Sequence, residues 1–199
     1  MKKNALHTKD IITAVLLSLI NIVIFSVGSF MYFTPITILL MPVVYSLFQG
    51  IVFFMLGAKL KKGGVFMIYC VIQGVVAFNL PYLLVHLAAG VTAELILRKT
   101  GYDNPKGLTL SYVILQLLAC FGSTIYPYAI ILQKTLSGIE GNGNLGADVA
   151  KAGEMIQSWG CAVLILVVIV SALSGAWLGY CVMKKHLLRT DKKTLEEKL

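Results

Sequence analysis

Long apolar stretches alternate with short polar connections along the whole of this chain. A helix needs about 20 apolar residues, at a rise of 1.5 Å each, to cross a bilayer. On that criterion the pattern predicts spans over residues 11–33, 36–58, 65–78, 82–97, 108–132 and 159–183. Residues 1–10 would precede a membrane domain of residues 11–183, and residues 184–199 would form a charged tail. The predicted fold class is an all-α membrane protein, a compact bundle of six transmembrane helices.

One apolar tract, residues 65–97, is too long for one span and too short for two ideal ones. The sequence Asn79-Leu80-Pro81 lies near its middle. Proline ends or kinks a helix and biases the preceding residue toward extended backbone. We therefore expect two short helices joined by a tight turn, and a polar loop over residues 133–158 between the last two spans.

The positive charges concentrate in alternate connections, which would lie on the same side of the membrane. All but two of the 17 Lys and Arg residues lie in the N-terminal segment, the second and fourth connections and the tail. The other side carries only Lys134 and Lys151. Cytoplasmic segments of membrane proteins are enriched in Lys and Arg, so both termini are predicted to be cytoplasmic, which requires an even number of spans. In a bacterium the protein would lie in the cytoplasmic membrane.

The composition excludes several function classes. The chain is 58% hydrophobic and 13% charged, with a net charge of +8 and a mean hydropathy of +0.84. Its basic residues form small clusters beside apolar spans, which favours anionic lipid headgroups over nucleic acid as their partner. The four cysteines form no CxxC pair, so neither a disulfide framework nor a metal site is expected. No cofactor is indicated, and the chain contains no phosphate-binding loop for ATP.

The connections on the less basic side are apolar and aromatic, which is unusual for exposed loops. Small-molecule sites are apolar cavities with a few well-placed polar groups, and aromatic rings stack on planar ligands. An ordinary aromatic belt at the membrane interface is the alternative interpretation. The candidate substrate-binding residues are Tyr32, Thr34, Asn79, Tyr82, Tyr126, Tyr128 and Trp159.

Small residues spaced four apart mark two of the predicted spans. Ala14 and Ser18 in the first span lie on one helix face, where they allow either docking of a partner membrane protein or a close internal contact. Ser171, Gly175 and Gly179 in the last span form a longer stripe, for which internal packing is the favoured interpretation.

Polar residues within the spans are expected to face the bundle interior or a cavity. They are Asn21, Gln49, Gln73, His86 and Gln116. Glu94 is the one carboxylate within a predicted span. An ion pair with Arg98, one turn later, is the favoured account, and a proton relay is the alternative. The chain shows no catalytic motif, which disfavours an intramembrane enzyme.

Several short tracts resemble a known family. Phe33-Thr-Pro-Ile, Gly57-Ala-Lys59 with Lys62-Gly-Gly64, and Ala89-Gly-Val-Thr-Ala-Glu94 followed by Gly101-Tyr-Asp-Asn are similar to the Trep_Strep or MptD-like subgroup. That subgroup is similar to the substrate-binding S components of energy-coupling-factor (ECF) transporters. The resemblance covers roughly residues 8 to 185 and is supported by the predicted six-span topology.

The resemblance implies a function. S components capture a vitamin or similar small nutrient at the outer face. They dock through their first helix on a membrane-embedded T component, and two cytoplasmic ATPases drive the assembly. Here the docking residues would be Ala14 and Ser18, the second of which replaces the usual alanine. The competing hypotheses are a stand-alone ion-coupled transporter that uses Glu94 and a small membrane enzyme or assembly protein with groups near His86 and Glu94.

Overall fold

The computed structural model describes residues 6–139 and 143–186, and all regular structure within these ranges is helical. In chain order the helices are α1 (Thr8–Val27), α2 (Pro35–Leu60), α3 (Val65–Val76), α4 (Leu80–Thr100), α5 (Pro105–Cys120), α6 (Leu132–Ser137), α7 (Gly143–Met155) and α8 (Cys161–His186). A 3₁₀ turn, Gly28–Met31, follows α1. Turns of π-helix extend α5 over Phe121–Ile130 and join α7 to α8 over Ile156–Gly160. The predicted all-helical class is confirmed.

Five helical stretches are long and apolar enough to cross a membrane. They are Thr8–Val27, Pro35–Leu60, Leu80–Thr100, Pro105–Ile130 and Asn144–Lys185. The remaining apolar helix, α3, has 12 residues, which gives a length of only about 18 Å against a hydrocarbon core of about 30 Å. Within the described residues the structure therefore supports five helices of membrane-spanning length and one shorter apolar helix. The count of six spans stays a prediction. The cytoplasmic position of both termini also stays a prediction.

The turn at Asn79-Leu80-Pro81 separates α3 from α4, as the sequence predicts. Phe78 adopts a left-handed backbone with φ of 47°, and Asn79 takes the extended conformation that a following helix start requires. The two helices then pack side by side, so that a β-carbon added at Gly90 would lie only 3.1 Å from that of Cys70. The predicted break into two helices is confirmed, but only α3 is short, because α4 continues for 21 residues to Thr100.

Helices α2 and α8 approach each other closely. A β-carbon on Gly175 would lie 2.2 Å from the carbonyl oxygen of Ser46, and one on Gly179 would lie 2.4 Å from that of Gly50. One turn away, the Ser171 hydroxyl donates to the carbonyl of Val43 at 2.6 Å. Small side chains thus allow the two backbones to touch, as van der Waals packing in lipid requires. The predicted internal role of this stripe is confirmed.

The bundle has two chemically different ends. The basic end holds the start of α1, residues 61–64 between α2 and α3, and residues 101–104 between α4 and α5. There Lys62 pairs with Asp10 at 2.6 Å and Lys61 pairs with Asp103 at 3.5 Å. The aromatic end holds residues 28–34, the α3–α4 turn and the α7–α8 junction.

The stretch expected to be a polar loop, residues 133–158, is largely helical. It contains most of α6, all of α7 and the start of the π-helical junction. The buried side chains of Val149, Ala152 and Ile156 explain the difference, because they belong to one apolar cluster with Ile38 and Tyr128. A helix stabilised by such tertiary contacts needs no strong local signal. Most of the predicted tail, residues 187–199, and residues 1–5 lie outside the described residues.

Candidate functional site

Four tyrosines from separate segments gather below the aromatic end. Tyr128, in the π-helical extension of α5, lies close to Tyr32 after the first 3₁₀ turn. The Tyr45 hydroxyl of α2 lies against Gly28, in the 3₁₀ turn that leads to Tyr32, and Tyr82 of α4 lies against Gly122, in the segment that carries Tyr128. We call these four residues the tyrosine cluster. Tyr32 is exposed while the other three are buried, so the cluster extends inward from the aromatic end.

Polar side chains from the predicted spans lie in the buried interior of the bundle. The rings of Tyr82 and His86 are 4.1 Å apart, and the His86 Nδ1 atom lies 3.0 Å from the Tyr82 carbonyl. Gln116 donates to the Gln49 side chain at 3.1 Å, linking α5 to α2. All five polar residues expected to face the interior are buried. The four residues of the tyrosine cluster carry no formal charge.

Three of the candidate residues lie at the surface or edge of this end. Thr34 caps α2 by accepting a hydrogen bond from the Thr37 backbone at 3.2 Å, so its hydroxyl already has a structural partner. Asn79 is exposed at the start of α4, and its side chain makes no capping hydrogen bond. Tyr126 is half-buried and packs on Phe121, with ring centroids 6.4 Å apart. Among them, Asn79 is the exposed residue whose side chain caps no helix.

Trp159 lies at the surface of the aromatic end. It is 73% exposed and borders an apolar crevice of about 180 Å³ between the start of α2 and the start of α8, which Ile36 and Leu164 also line. An exposed indole at a helix end is typical of an interfacial anchor. This geometry favours the aromatic-belt interpretation for Trp159.

Sequence reasoning missed Tyr45 because it lies in the middle of an apolar run. Its hydroxyl donates to the carbonyl of Phe25 at 2.8 Å, and the two rings stack with centroids 5.4 Å apart. Its hydroxyl also lies against Gly28, where a β-carbon would clash at 1.7 Å. Only the packing of α1 on α2 reveals this position, and no local signal in the sequence marks it.

The small pair on α1 is internal in this structure. Ala14 and Ser18 are both 0% exposed. The Ser18 hydroxyl bonds to the Ala14 carbonyl at 2.7 Å, and the Ser18 carbonyl accepts from Gln73 of α3 at 3.2 Å. The arrangement therefore fits the internal-contact interpretation. The opposite face of α1 is exposed and apolar, with Leu16, Leu19, Ile20 and Val23.

Glu94 has partners that its local sequence does not suggest. Its carboxylate accepts hydrogen bonds from the backbone N–H groups of Gly64 at 2.7 Å and Phe66 at 3.2 Å, and from the Tyr102 hydroxyl at 2.7 Å. The two ion pairs among the described residues do not include Glu94, so the expected pair with Arg98 was wrong. The unpaired N–H groups at a helix start carry partial positive charge and attract a carboxylate. Glu94 therefore caps α3.

The contact with Glu94 also affects Tyr102, which lies in the turn between α4 and α5. Partial burial of the phenol, reinforced by its hydrogen bond to Glu94, raises the pKa of Tyr102 to about 12. Burial disfavours the charged phenolate, which would lose hydration, and Glu94 disfavours it because a second negative charge would lie beside the carboxylate. The hydroxyl is thus held as a donor and joins the α4–α5 turn to the start of α3.

Comparison with known proteins identifies the family of this chain. A family described as "Hypothetical bacterial integral membrane protein (Trep_Strep)" matches residues 8–189 of the chain. No curated protein and no solved structure matches it. The family match covers nearly the whole sequence, so the chain belongs to the Trep_Strep family of bacterial integral membrane proteins.

Proposed function

We propose that this member of the Trep_Strep family is the substrate-capture subunit of an ECF-type importer in the bacterial cytoplasmic membrane. It would bind a vitamin or a similar small nutrient at the aromatic end. Delivery would follow docking on a membrane-embedded T component, driven by two cytoplasmic ATPases. The chain itself lacks a phosphate-binding loop, so ATP hydrolysis is assigned to those partners rather than to this subunit.

The tyrosine cluster is the observation that carries the proposal. Tyr32, Tyr45, Tyr82 and Tyr128 lie on four separate segments that meet below one end of the bundle. Aromatic rings with polar edges suit a flat ligand that also makes hydrogen bonds. Because the cluster carries no formal charge, a neutral and partly apolar nutrient fits it better than a sugar phosphate, whose anionic group would lose its hydration without gaining a partner.

The distribution of charge supports an orientation. Lysines and arginines concentrate at the basic end, and such segments remain in the cytoplasm. The aromatic end would then face the exterior, where a nutrient arrives. The exposed Asn79 and Tyr32 would meet it first, with Tyr82 and Tyr128 deeper in the protein.

Docking is assigned to the exposed face of α1. Ala14 and Ser18 are buried against the chain's own helices, whereas Leu16, Leu19, Ile20 and Val23 form an apolar surface. A partner helix in lipid associates through van der Waals contact with such a surface. The proposal therefore keeps the first helix as the docking element and moves the contact to its outer face.

A stand-alone ion-coupled transporter is less well supported. That function needs an intramembrane acid that gains and loses a proton. The Glu94 carboxylate instead accepts three hydrogen bonds at the basic end. This set of partners favours a structural role, and Glu94→Gln should preserve uptake if the proposed function is correct.

The test is mass spectrometry of small molecules that co-purify with the detergent-solubilised protein. We expect one compound at near-stoichiometric yield with the wild type. Tyr82→Ala and Tyr128→Ala should each reduce its affinity about fivefold, because each removes an aromatic contact worth about 1 kcal/mol. Trp177→Phe, at the other end of α8, is the matched control and should retain the compound. Equal retention by all three variants would exclude the tyrosine cluster as the binding site.

The importer assignment needs a separate measurement. Uptake of the identified compound should require co-expression of a T component and its ATPases, because this chain has no energy source of its own. Accumulation against a gradient in a host without those partners would overturn the assignment and favour the ion-coupled alternative.

A further inference from the structure

A groove runs between α5 and α8 at the basic end of the bundle. Its volume is about 520 Å³. Lys106 and Thr109 of α5 and Tyr180 of α8 line one part of it, while Leu110, Val113 and Leu173 line another. This groove is separate from the tyrosine cluster, and the proposed function does not use it.

Polarity changes along the groove in one direction. Helix α5 begins at the basic end and α8 finishes there, so Lys106 and Tyr180 lie near the membrane surface. Val113 is seven residues further along α5, which places it about 10 Å deeper. Trp177, 64% exposed, lies on the wall between these levels. The groove is thus polar at the surface and apolar toward the membrane interior, as an amphiphilic ligand requires.

The polar part of the groove is also positively charged. Lys106 is exposed, as are Lys184 and Lys185 near the end of α8. Three carboxylates near this end already have partners: Asp10 binds Lys62, Asp103 binds Lys61, and Glu94 caps α3. Neither ion pair among the described residues involves Lys106. The charge at the mouth of the groove therefore complements an anion.

We propose that this groove is a binding site for an anionic phospholipid. The lipid phosphate would contact the ammonium group of Lys106, and one acyl chain would lie along Leu110, Val113 and Trp177. A single chain in the groove leaves the second chain in the bilayer, so the lipid need not leave the membrane to bind. Its charge selects this occupant over a zwitterionic lipid, which carries no net negative charge for the basic groove mouth to attract.

The position of Trp177 makes the proposal measurable. The full chain carrying Trp159→Phe has Trp177 as its one tryptophan. In nanodiscs with a fixed small fraction of brominated lipid, bromine on the acyl chain quenches the indole on contact. We expect brominated phosphatidylglycerol to bind beside Trp177 about fivefold more strongly than brominated phosphatidylcholine, since one lysine contributes about 1 kcal/mol toward an anionic headgroup.

Two charge variants test which lysine causes the preference for phosphatidylglycerol. Lys106→Gln in the same background should remove it, whereas Lys9→Gln should retain it, because Lys9 lies on α1, which packs on α2 and α3. Equal quenching by the two lipids would overturn the proposal, as would a preference that survives Lys106→Gln. An equal loss in Lys9→Gln would mean that net charge alone attracts the lipid. If neither lipid quenches Trp177 while both quench Trp159 in the Trp177→Phe chain, protein covers the groove and the proposal is wrong.

Discussion

The buried carboxylate of Glu94 accepts a hydrogen bond from the backbone N–H of Gly64, at 2.7 Å and across 30 residues of chain. Gly64 immediately precedes α3 and has a φ of 90°, which glycine adopts without strain. One side chain of α4 thus positions the start of the neighbouring helix. The most conspicuous ionisable group within an apolar helix therefore has a structural role in this arrangement.

Removal of this cap should destabilise the protein in a graded way. Glu94→Ala leaves two backbone N–H groups without their acceptor, and we expect a loss of about 3 kcal/mol in the free energy of unfolding. Glu94→Gln keeps an amide oxygen as acceptor and should lose about 1 kcal/mol, the difference between a charged and a neutral hydrogen bond. Thermal unfolding in detergent measures both. The exposed Glu154→Gln on α7 is the matched control, and a control as unstable as Glu94→Gln would contradict the capping role.

The raised pKa of Tyr102 predicts a dependence of stability on pH. The phenol has a folded-state pKa of about 12 against an ordinary value of 10, so folding favours its neutral form. Its contribution is fully present below pH 10 and is lost as the pH rises through 12. The wild type should therefore lose more stability than Tyr102→Phe over this window. Parallel unfolding curves for the two proteins between pH 9 and pH 12 would show that the phenol does not titrate as stated.

The contact between α2 and α8 should tolerate no added volume. Gly175→Ala places a methyl group 2.2 Å from a backbone oxygen, and backbone cannot move aside as a flexible side chain can. We expect a loss of about 2 kcal/mol or more. Gly146→Ala is the matched control, because nothing lies within 4 Å of its added carbon and alanine favours the helix by about 0.5–1 kcal/mol. Comparable unfolding temperatures for the two variants would refute the close-packing account.

The two faces of α1 should respond differently to substitution. Ala14→Leu adds volume to a fully buried site and should cost about 2 kcal/mol of stability. Leu16→Ala, on the exposed face, should leave the unfolding temperature nearly unchanged and reduce recovery of the proposed T component. Thermal unfolding and co-purification with tagged T component measure the two effects. Full recovery of the partner with Leu16→Ala would place the docking surface elsewhere.

Local chemistry was enough to predict the break between α3 and α4. Proline lacks a backbone donor and restricts the residue before it, so Asn79-Leu80-Pro81 interrupts a helix almost regardless of its surroundings. The stripe of Ser171, Gly175 and Gly179 was equally informative, because residues four apart lie on one helix face whatever that face contacts. Three of the seven candidate ligand residues, Tyr32, Tyr82 and Tyr128, lie in the tyrosine cluster.

Other features depend on contacts between distant segments. Tyr45 joins the cluster because α1 brings Phe25 and Gly28 to it, and nothing in its apolar neighbourhood marks it. Helix α7 replaces an expected loop because its buried face finds an apolar cluster to pack on. The end of α3 was also not predictable from local sequence. The hydropathy pattern predicted a span over residues 65–78, whereas the helix has only 12 residues and ends at Val76.

The sequence by itself determined the class of this protein, its apolar helices and the separation of a basic from an aromatic end, because these depend on the solubility of side chains in lipid and on the geometry of single residues. Tertiary structure decided which face of α1 is buried, what Glu94 caps and which tyrosines meet. The physical reason is that a helix of nearly uniform hydrophobicity has no preferred inward face, so the fit of its neighbours selects one.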